Sequence, residues 1–143
     1  MDVLVVDIGG SRVKLKVSNE DGVRRFASGP DLTPETTVAR VRDLTAGWRF
    51  DAISIGYPGT VTARGPAAEP GNLGCGWVDF DFEAAFGKPV RVVNDAVLQA
   101  LGGYEGGRML FLGLGTGVGS ALVTEHVVIP LELGCLTWKD GTV

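Results

Sequence analysis

Apolar side chains fill positions 3–6 and 8, broken only by Asp7, and β-branched residues dominate. That pattern predicts a buried strand over Val3–Ile8 that runs into the turn Gly9-Gly10. Val13, Leu15 and Val17 then alternate with Lys14, Lys16 and Ser18, the period of a half-buried strand paired with the first. Asn19-Glu20-Asp21-Gly22 reads as a turn and Val23 to Ala27 as a returning strand, so the chain opens as a β-meander. Thr33-Pro34-Glu35-Thr36 has the form of a helix start, and Val38, Val41 and Leu44 carry a helical apolar spacing as far as Gly47. Asp51 to Ile55 is the next strand, with a short extended piece over Val61 to Arg64. Residues 65–76 hold four glycines and two prolines and read as a long loop of the kind that serves sites. Phe80 to Phe86 predicts a short helix and Val90 to Val93 a strand. Asn94-Asp95 then caps a helix over Ala96 to Leu101. A strand over Met109 to Leu112, a glycine turn over 113–119, a strand over Ser120 to Val123 and a hairpin return over His126 to Ile129 complete the pattern. Strands interleaved with helices behind a meander predict an α/β domain with a mixed sheet and flanking helices.

Three clusters carry candidate chemistry. In DIGGSRVK, Gly9 and Gly10 follow a buried strand and let backbone approach an anion, Asp7 can orient a hydrated divalent cation and Ser11 can donate to phosphate oxygens. Ordinary turn chemistry explains the same residues, and alternation directs Lys14 toward solvent. In GLGTGVG, Gly113, Gly115, Gly117 and Gly119 recur every second residue around Thr116. The run fits neither a dinucleotide fingerprint nor a Walker A loop, and stands either as a phosphate cradle or as a glycine-rich hairpin. In VVNDA, Asp95 ends a strand and starts a helix, where a carboxylate can take a proton from an attacking alcohol, with Asn94 fixing a neighbouring hydroxyl; simple helix capping is the competing account. Weaker candidates are Gly56-Tyr57-Pro58-Gly59 and Gly71-Asn72-Leu73 as pocket linings and Glu132 with Cys135 as a carboxylate and thiol. His126, the one histidine, lies in an apolar segment and lends no support to a Ser-His-Asp or Cys-His mechanism.

Composition narrows the classes. The 143 residues are 45% hydrophobic and 21% charged, enough for one core that needs no disulfide or metal. Thirteen Lys and Arg against seventeen Asp and Glu give a net charge of −4, which disfavours a nonspecific nucleic-acid or anionic-membrane surface and leaves room for a local anion site. Two cysteines 60 positions apart form no metal or disulfide signature, and neither a signal peptide nor a membrane span is evident, so a cytoplasmic location is expected.

Taken in order, VVDIGGSRVKLKV, SIGYPGTV, GNLGCGW, VRVVNDAVLQALGG, LFLGLGTGVGSALV and LELGCL resemble the ROK family of sugar kinases, and more narrowly its polyphosphate/ATP-dependent glucokinases. The resemblance implies the actin-like, ribonuclease-H-like ATPase fold, with this chain as the N-terminal kinase lobe and the second lobe absent or truncated. It implies phosphoryl transfer from ATP or polyphosphate, with Mg²⁺, to the 6-hydroxyl of glucose or a related hexose. Asp95 would be the base, Asn72, Asn94 and Glu132 would bind sugar, and Asp7 would hold Mg²⁺, directly or through water. Gly9, Gly10, Ser11, Gly113, Gly115, Thr116, Gly117 and Gly119 would bind phosphate. A homodimer or a complementing C-terminal lobe is the expected partner; the alternative is a catalytically inactive sugar-binding or interaction domain. Two departures from the family stand out: Cys135 occupies the place of the histidine in E-x-G-H, and the zinc cysteine cluster is missing, as it is in the polyphosphate-using branch.

Overall fold

The structure, a computed structural model, describes residues 1–115, 117–138 and 141–142. Its main sheet has the order β3-β2-β1-β4-β7, formed by β1 (Val3–Ile8), β2 (Arg12–Val17), β3 (Arg24–Ala27), β4 (Ala52–Tyr57) and β7 (Val90–Asn94). The first three strands pair antiparallel as the meander the alternation predicts, whereas β1–β4 and β4–β7 are parallel. The sheet is therefore mixed.

Register sorts the side chains between its two faces. Leu4, Val6 and Ile8 stand beside Leu15, Val13 and Val17 on one side and Ile53, Ile55 and Tyr57 on the other, and all are buried. Helix α1 (Pro34–Leu44) contributes Val38 and Val41 to this core, and Trp77, fully buried, packs against Tyr57 and Phe82. Thr33 caps α1 in a capping box with Thr36, and Pro34 takes the first turn, where its missing N–H costs nothing.

The opposite face carries Asp7, Gly56 and Lys14 in one cross-strand row, and α3 (Asp95–Gly102) lies against it. Gly56 makes that approach possible, because a Cβ there would stand 2.5 Å from Leu98 Cδ2 and 3.3 Å from the Asp95 Cα. The other side of α3 packs on a second sheet of order β10-β9-β8, formed by β8 (Met109–Leu114), β9 (Val118–Val123) and β10 (Val128–Leu131). Val97 and Ala100 meet Ala121, Val123, Met109 and Phe111 there, while Leu110, Leu112 and Leu114 face outward. Helix α3 is thus shared by the two sheets.

Three sequence expectations change. The loop expected over 65–76 begins as a strand, because β6 (Gly65–Pro66) pairs with β5 (Val61–Thr62). The glycine turn expected over 113–119 is shorter, since the strands run to Leu114 and from Val118 with Gly113 directly opposite Gly119. The return strand starts at Val128 rather than His126. The short helix α2 covers Phe82–Phe86, capped by Asp81 and closed by Gly87 in the left-handed conformation. A 3-10 turn (Leu133–Cys135) and the pair β11 (Thr137–Trp138) and β12 (Gly141–Thr142) follow.

Candidate functional site

Asp95 opens α3 where β7 ends. Asn94 is the helix cap: its Oδ1 accepts the Ala96 and Val97 N–H groups at 3.0 and 3.3 Å, and its Nδ2 donates to the Gly59 carbonyl at 3.1 Å. One amide hydrogen of Asn94 is left for another partner. The half-buried Asp95 accepts the Ala96 N–H on Oδ1 at 2.8 Å. Burial lifts its carboxyl above the ordinary aspartate range, with the negative charges of Asp7 and Glu132 adding to the rise against the Ala96 hydrogen bond. Three carboxylates from β1, α3 and the 3-10 turn therefore share one electrostatic neighbourhood.

Asp7 is held by groups from two elements. Lys14 Nζ lies 3.5 Å from its Oδ2, and Gln99 Nε2 lies 3.4 Å from each carboxylate oxygen. Lys14 remains 55% exposed against 14% for Asp7, so it is on the solvent face, as its alternation predicts, and still reaches the carboxylate. Gln99 went unnoticed in the sequence. It stands four residues after Asp95, one helical turn on, and that spacing is the signal that puts both on the same side of α3.

The first glycine turn is a tight hairpin in which Gly9 N–H donates to the Arg12 carbonyl at 3.0 Å. A Cβ on Gly9 would meet that same oxygen at 3.1 Å. Ser28 ties the turn down by donating its hydroxyl to the Gly9 carbonyl at 2.6 Å, while Ser11 is exposed beside Gly10. The second set of glycines divides in two. A Cβ on Gly119 would stand 3.2 Å from Ala96 Cβ, so that glycine admits close packing under α3, whereas one on Gly113 would stand 3.1 Å from the ring of Phe111 on its own strand. Gly115 and Gly117 face open space, and the Gly115 N–H donates to the Gly117 carbonyl at 3.0 Å. Thr116 lies outside the described residues.

Glu132 is exposed at the start of the 3-10 turn, with Cys135 Sγ donating to its Oε2 at 4.0 Å. The turn is seated on β9, where a Cβ on Gly134 would meet the Val118 carbonyl at 3.1 Å. Asn72 is exposed on its loop, and among the described residues no hydrogen bond joins its side chain to Asn94, Asp95 or Glu132. The loop itself is fixed, because Glu69 accepts the Trp77 and Val78 N–H groups, each at 3.1 Å. Tyr57 is core rather than pocket lining: its hydroxyl donates to the Ala68 carbonyl at 2.8 Å and burial pushes its phenol up to about 12. A groove of about 940 Å³ beside β7 shares only Asn94 with these residues and is separate from Asp95.

The donor set decides which metal suits the site. Among the described residues no three Asp, Glu, His or Cys side chains converge, which is a poor cage for zinc or calcium. Asp7, half-buried and within reach of Lys14 and Gln99, offers one carboxylate of the kind that suits Mg²⁺, which keeps several waters and binds through one or two carboxylates plus phosphate oxygens.

The fold is shared with known proteins. Residues 3–130 match the profile of the ROK family. A glucokinase of Pyrobaculum calidifontis is 27% identical over 156 residues, covering 96% of this chain and 46% of its own length. The crystal structure of an inorganic polyphosphate/ATP-glucomannokinase from Arthrobacter sp. strain KM superposes with a TM-score of 0.78 at 24% identity, over 99% of this chain and 66% of that one. The ROK hexokinase of Thermus thermophilus gives a TM-score of 0.63 at 24% identity, over 96% of this chain and 53% of that one. The chain spans about half the length of the curated relative it matches, at 46%.

Proposed function

The chain belongs to the ROK family of sugar kinases, and on that premise we propose that it carries the first lobe of a glucokinase-type site, transferring phosphoryl from ATP or polyphosphate to the 6-hydroxyl of glucose or a related hexose. The observation that carries this reading is the placement of Asp95. It sits at a strand-to-helix junction in the field of Asp7 and Glu132, with a raised pKa, and among the described residues no side-chain donor occupies its carboxylate. In the mechanism, the carboxylate takes the proton of the sugar hydroxyl as the hydroxyl oxygen attacks the terminal phosphorus. The P–O bond to the rest of the donor breaks, and the donor leaves with the electron pair. Glu132, the remaining Asn94 amide hydrogen and Asn72 orient the sugar. Gly10, Ser11, Thr116 and Gly117 offer N–H and hydroxyl groups to the donor phosphates, while Gly9, Gly113, Gly115 and Gly119, engaged within the fold, shape the two turns that face them. Asp7 would hold Mg²⁺, which supplies neutralisation of the phosphoryl charge when bound. The relatives' greater length supports reading residues 1–143 as the N-terminal lobe, with a complementing C-terminal lobe or a second copy closing the site.

The test is glucose-6-phosphate formation with Mg²⁺ and either donor, alongside calorimetric glucose binding, for the native chain and Asp95→Asn. The substitution is expected to keep glucose binding and lower transfer by about 10²- to 10⁴-fold. Because a raised pKa protonates the base early, the acid limb of the rate profile should lie above the ordinary aspartate range. A folded chain that binds glucose and transfers phosphoryl from neither donor, alone or with a relative's C-terminal lobe supplied separately, overturns the catalytic reading in favour of a sugar-binding domain.

A further inference from the structure

Two turns meet at the end of the main sheet away from Asp95. After α1, Thr45 caps the helix and Gly47 takes a left-handed φ of 88°, which brings the Trp48 N–H to 2.9 Å from the Thr45 carbonyl oxygen. Phe50 and Asp51 then lead into β4. Opposite them, α2 closes at Gly87 and Lys88 leads into β7. The turns enclose a pocket of about 430 Å³. Trp48, Phe50 and Phe86, partly buried against the core, give it aromatic walls, and the buried Thr45 commits its hydroxyl to the Val41 carbonyl at 2.7 Å. The charged lining is Arg42, Arg49, Lys88 and Asp51. Helix C-termini carry partial negative charge, and here each is already met: Arg24, with its guanidinium 4.2 Å from the centre of the Trp48 ring, donates to the Leu44 carbonyl of α1, and Arg42 donates to the Ala85 carbonyl of α2. Arg49 and Lys88 are left over. Among the described residues neither forms an ion pair, and the Lys88 ammonium stands 5.2 Å from the centre of the Phe50 ring. Asp51 commits its Oδ2 to the Asp2 N–H at 2.7 Å.

We propose that this pocket binds a small aromatic carboxylate, with its ring against Trp48, Phe50 and Phe86 and its carboxylate between Arg49 and Lys88. The proposal goes beyond the phosphoryl-transfer reading and does not depend on it. Three observations select the ligand. The volume lies low in the range of small-molecule pockets and suits one or two rings. The walls are aromatic, and ring pairs gain free energy beyond what the same apolar area gives. Two uncommitted cations beside one carboxylate favour a monoanion over a phosphate, whose second charge would face Asp51, and a planar carboxylate matches the guanidinium fork of Arg49. The pocket lies at the start of β4 and β7, whereas Asp95 follows the end of β7, about 20 Å away along the strand. A ligand here leaves the space around Asp95 free.

The test uses the full chain and follows binding of sodium benzoate by NMR titration, with benzyl alcohol, cyclohexanecarboxylate and inorganic phosphate as comparison compounds. Benzoate is expected to bind about tenfold more tightly than benzyl alcohol, through its charge-assisted hydrogen bonds, and about threefold more tightly than cyclohexanecarboxylate, through its ring contacts. The Trp48 indole signal and the Phe50 and Lys88 amide signals should move, while the Asp95 amide signal should not. Arg49→Gln with Lys88→Gln, both at exposed positions, should lower benzoate affinity about tenfold and leave benzyl alcohol binding unchanged. The absence of any saturable shift with benzoate, shifts centred on Asp95, equal affinity for any of the three comparison compounds, or a benzoate affinity that survives the double variant overturns the site.

Discussion

Gly56 lies at the centre of the main sheet, under the helix that carries Asp95 and Gln99, and Gly56→Ala is the perturbation that most directly tests how the site is held. The added methyl would stand 2.5 Å from Leu98 Cδ2, 3.2 Å from Leu98 Cβ and 3.3 Å from the Asp95 Cα. The first contact is with the end of a side chain and a rotamer change relieves it. The other two involve the root of Leu98 and the helix backbone, so α3 must move outward by a few tenths of an ångström. Its far side is already packed on the second sheet through Ala96, Val97 and Ala100, which leaves little room. Overpacking of this kind costs about 1–3 kcal/mol, and about 2 kcal/mol translates into a fall in Tm of roughly 4–8 °C for a domain of this size. Leu98→Ala keeps Cβ and removes only the shortest of the three contacts, that to Cδ2, at a cost of its own, so the double variant should be more stable than the sum of the singles predicts by about 1 kcal/mol. Denaturant titration of the four proteins measures this coupling. Additive effects to within about 0.5 kcal/mol, or a Gly56→Ala chain as stable as the parent, would refute the claim that α3 rests on this glycine.

Two further outcomes follow from the charged groups. A folded-state pKa raised above the unfolded one stabilises the protein below the ordinary carboxylate range, and that contribution is lost as pH rises through the folded value. Asp95→Asn should therefore raise Tm at neutral pH, with the gain disappearing in acid; a lower Tm at neutral pH contradicts the burial argument. Glu69 has the opposite sign, its carboxyl lowered mainly by the Trp77 N–H against partial desolvation, so its contribution is present above the ordinary range and lost as pH falls. Glu69→Gln should speed amide exchange at Trp77 and Val78, as should acidification of the parent chain, and unchanged protection in the variant would show that the loop is fixed by Trp77 burial alone.

Local pattern made the meander, α1 and the Asn94-Asp95 helix start legible, because each is written in contiguous residues: the alternation of β2, the Thr33-Pro34 cap and the asparagine before α3. The spacing of Gly113 and Gly119 was visible, but its meaning was not, since the close approach of Ala96 depends on a helix more than ten residues earlier. The Asp7–Gln99 contact was hidden for the same reason, joining residues 92 positions apart through the parallel pairing of β1 with β4. Sequence also gave no notice that Arg24 and Arg25, adjacent and alike, serve opposite faces until the register of β3 was known. Family likeness covered what periodicity lacked, by linking motifs in the order in which the fold brings them together.

The parallel pairing of β1 with β4 also sets an order of assembly. The β1–β2–β3 meander closes through short turns and belongs to the microsecond class of events. By contrast, β4 must find β1 across a gap such as the 49 positions between Asp2 and Asp51, and β7 joins that sheet only through β4. Loop closure of that length comes late and slows folding. Asp95 follows β7 directly, so on a chain emerging from the ribosome this carboxylate reaches its neighbours after the first glycine turn is already formed. Intermediates on that route would present the Gly9-Gly10 turn without Asp95, and the last parallel strand to dock is the one that brings the two together.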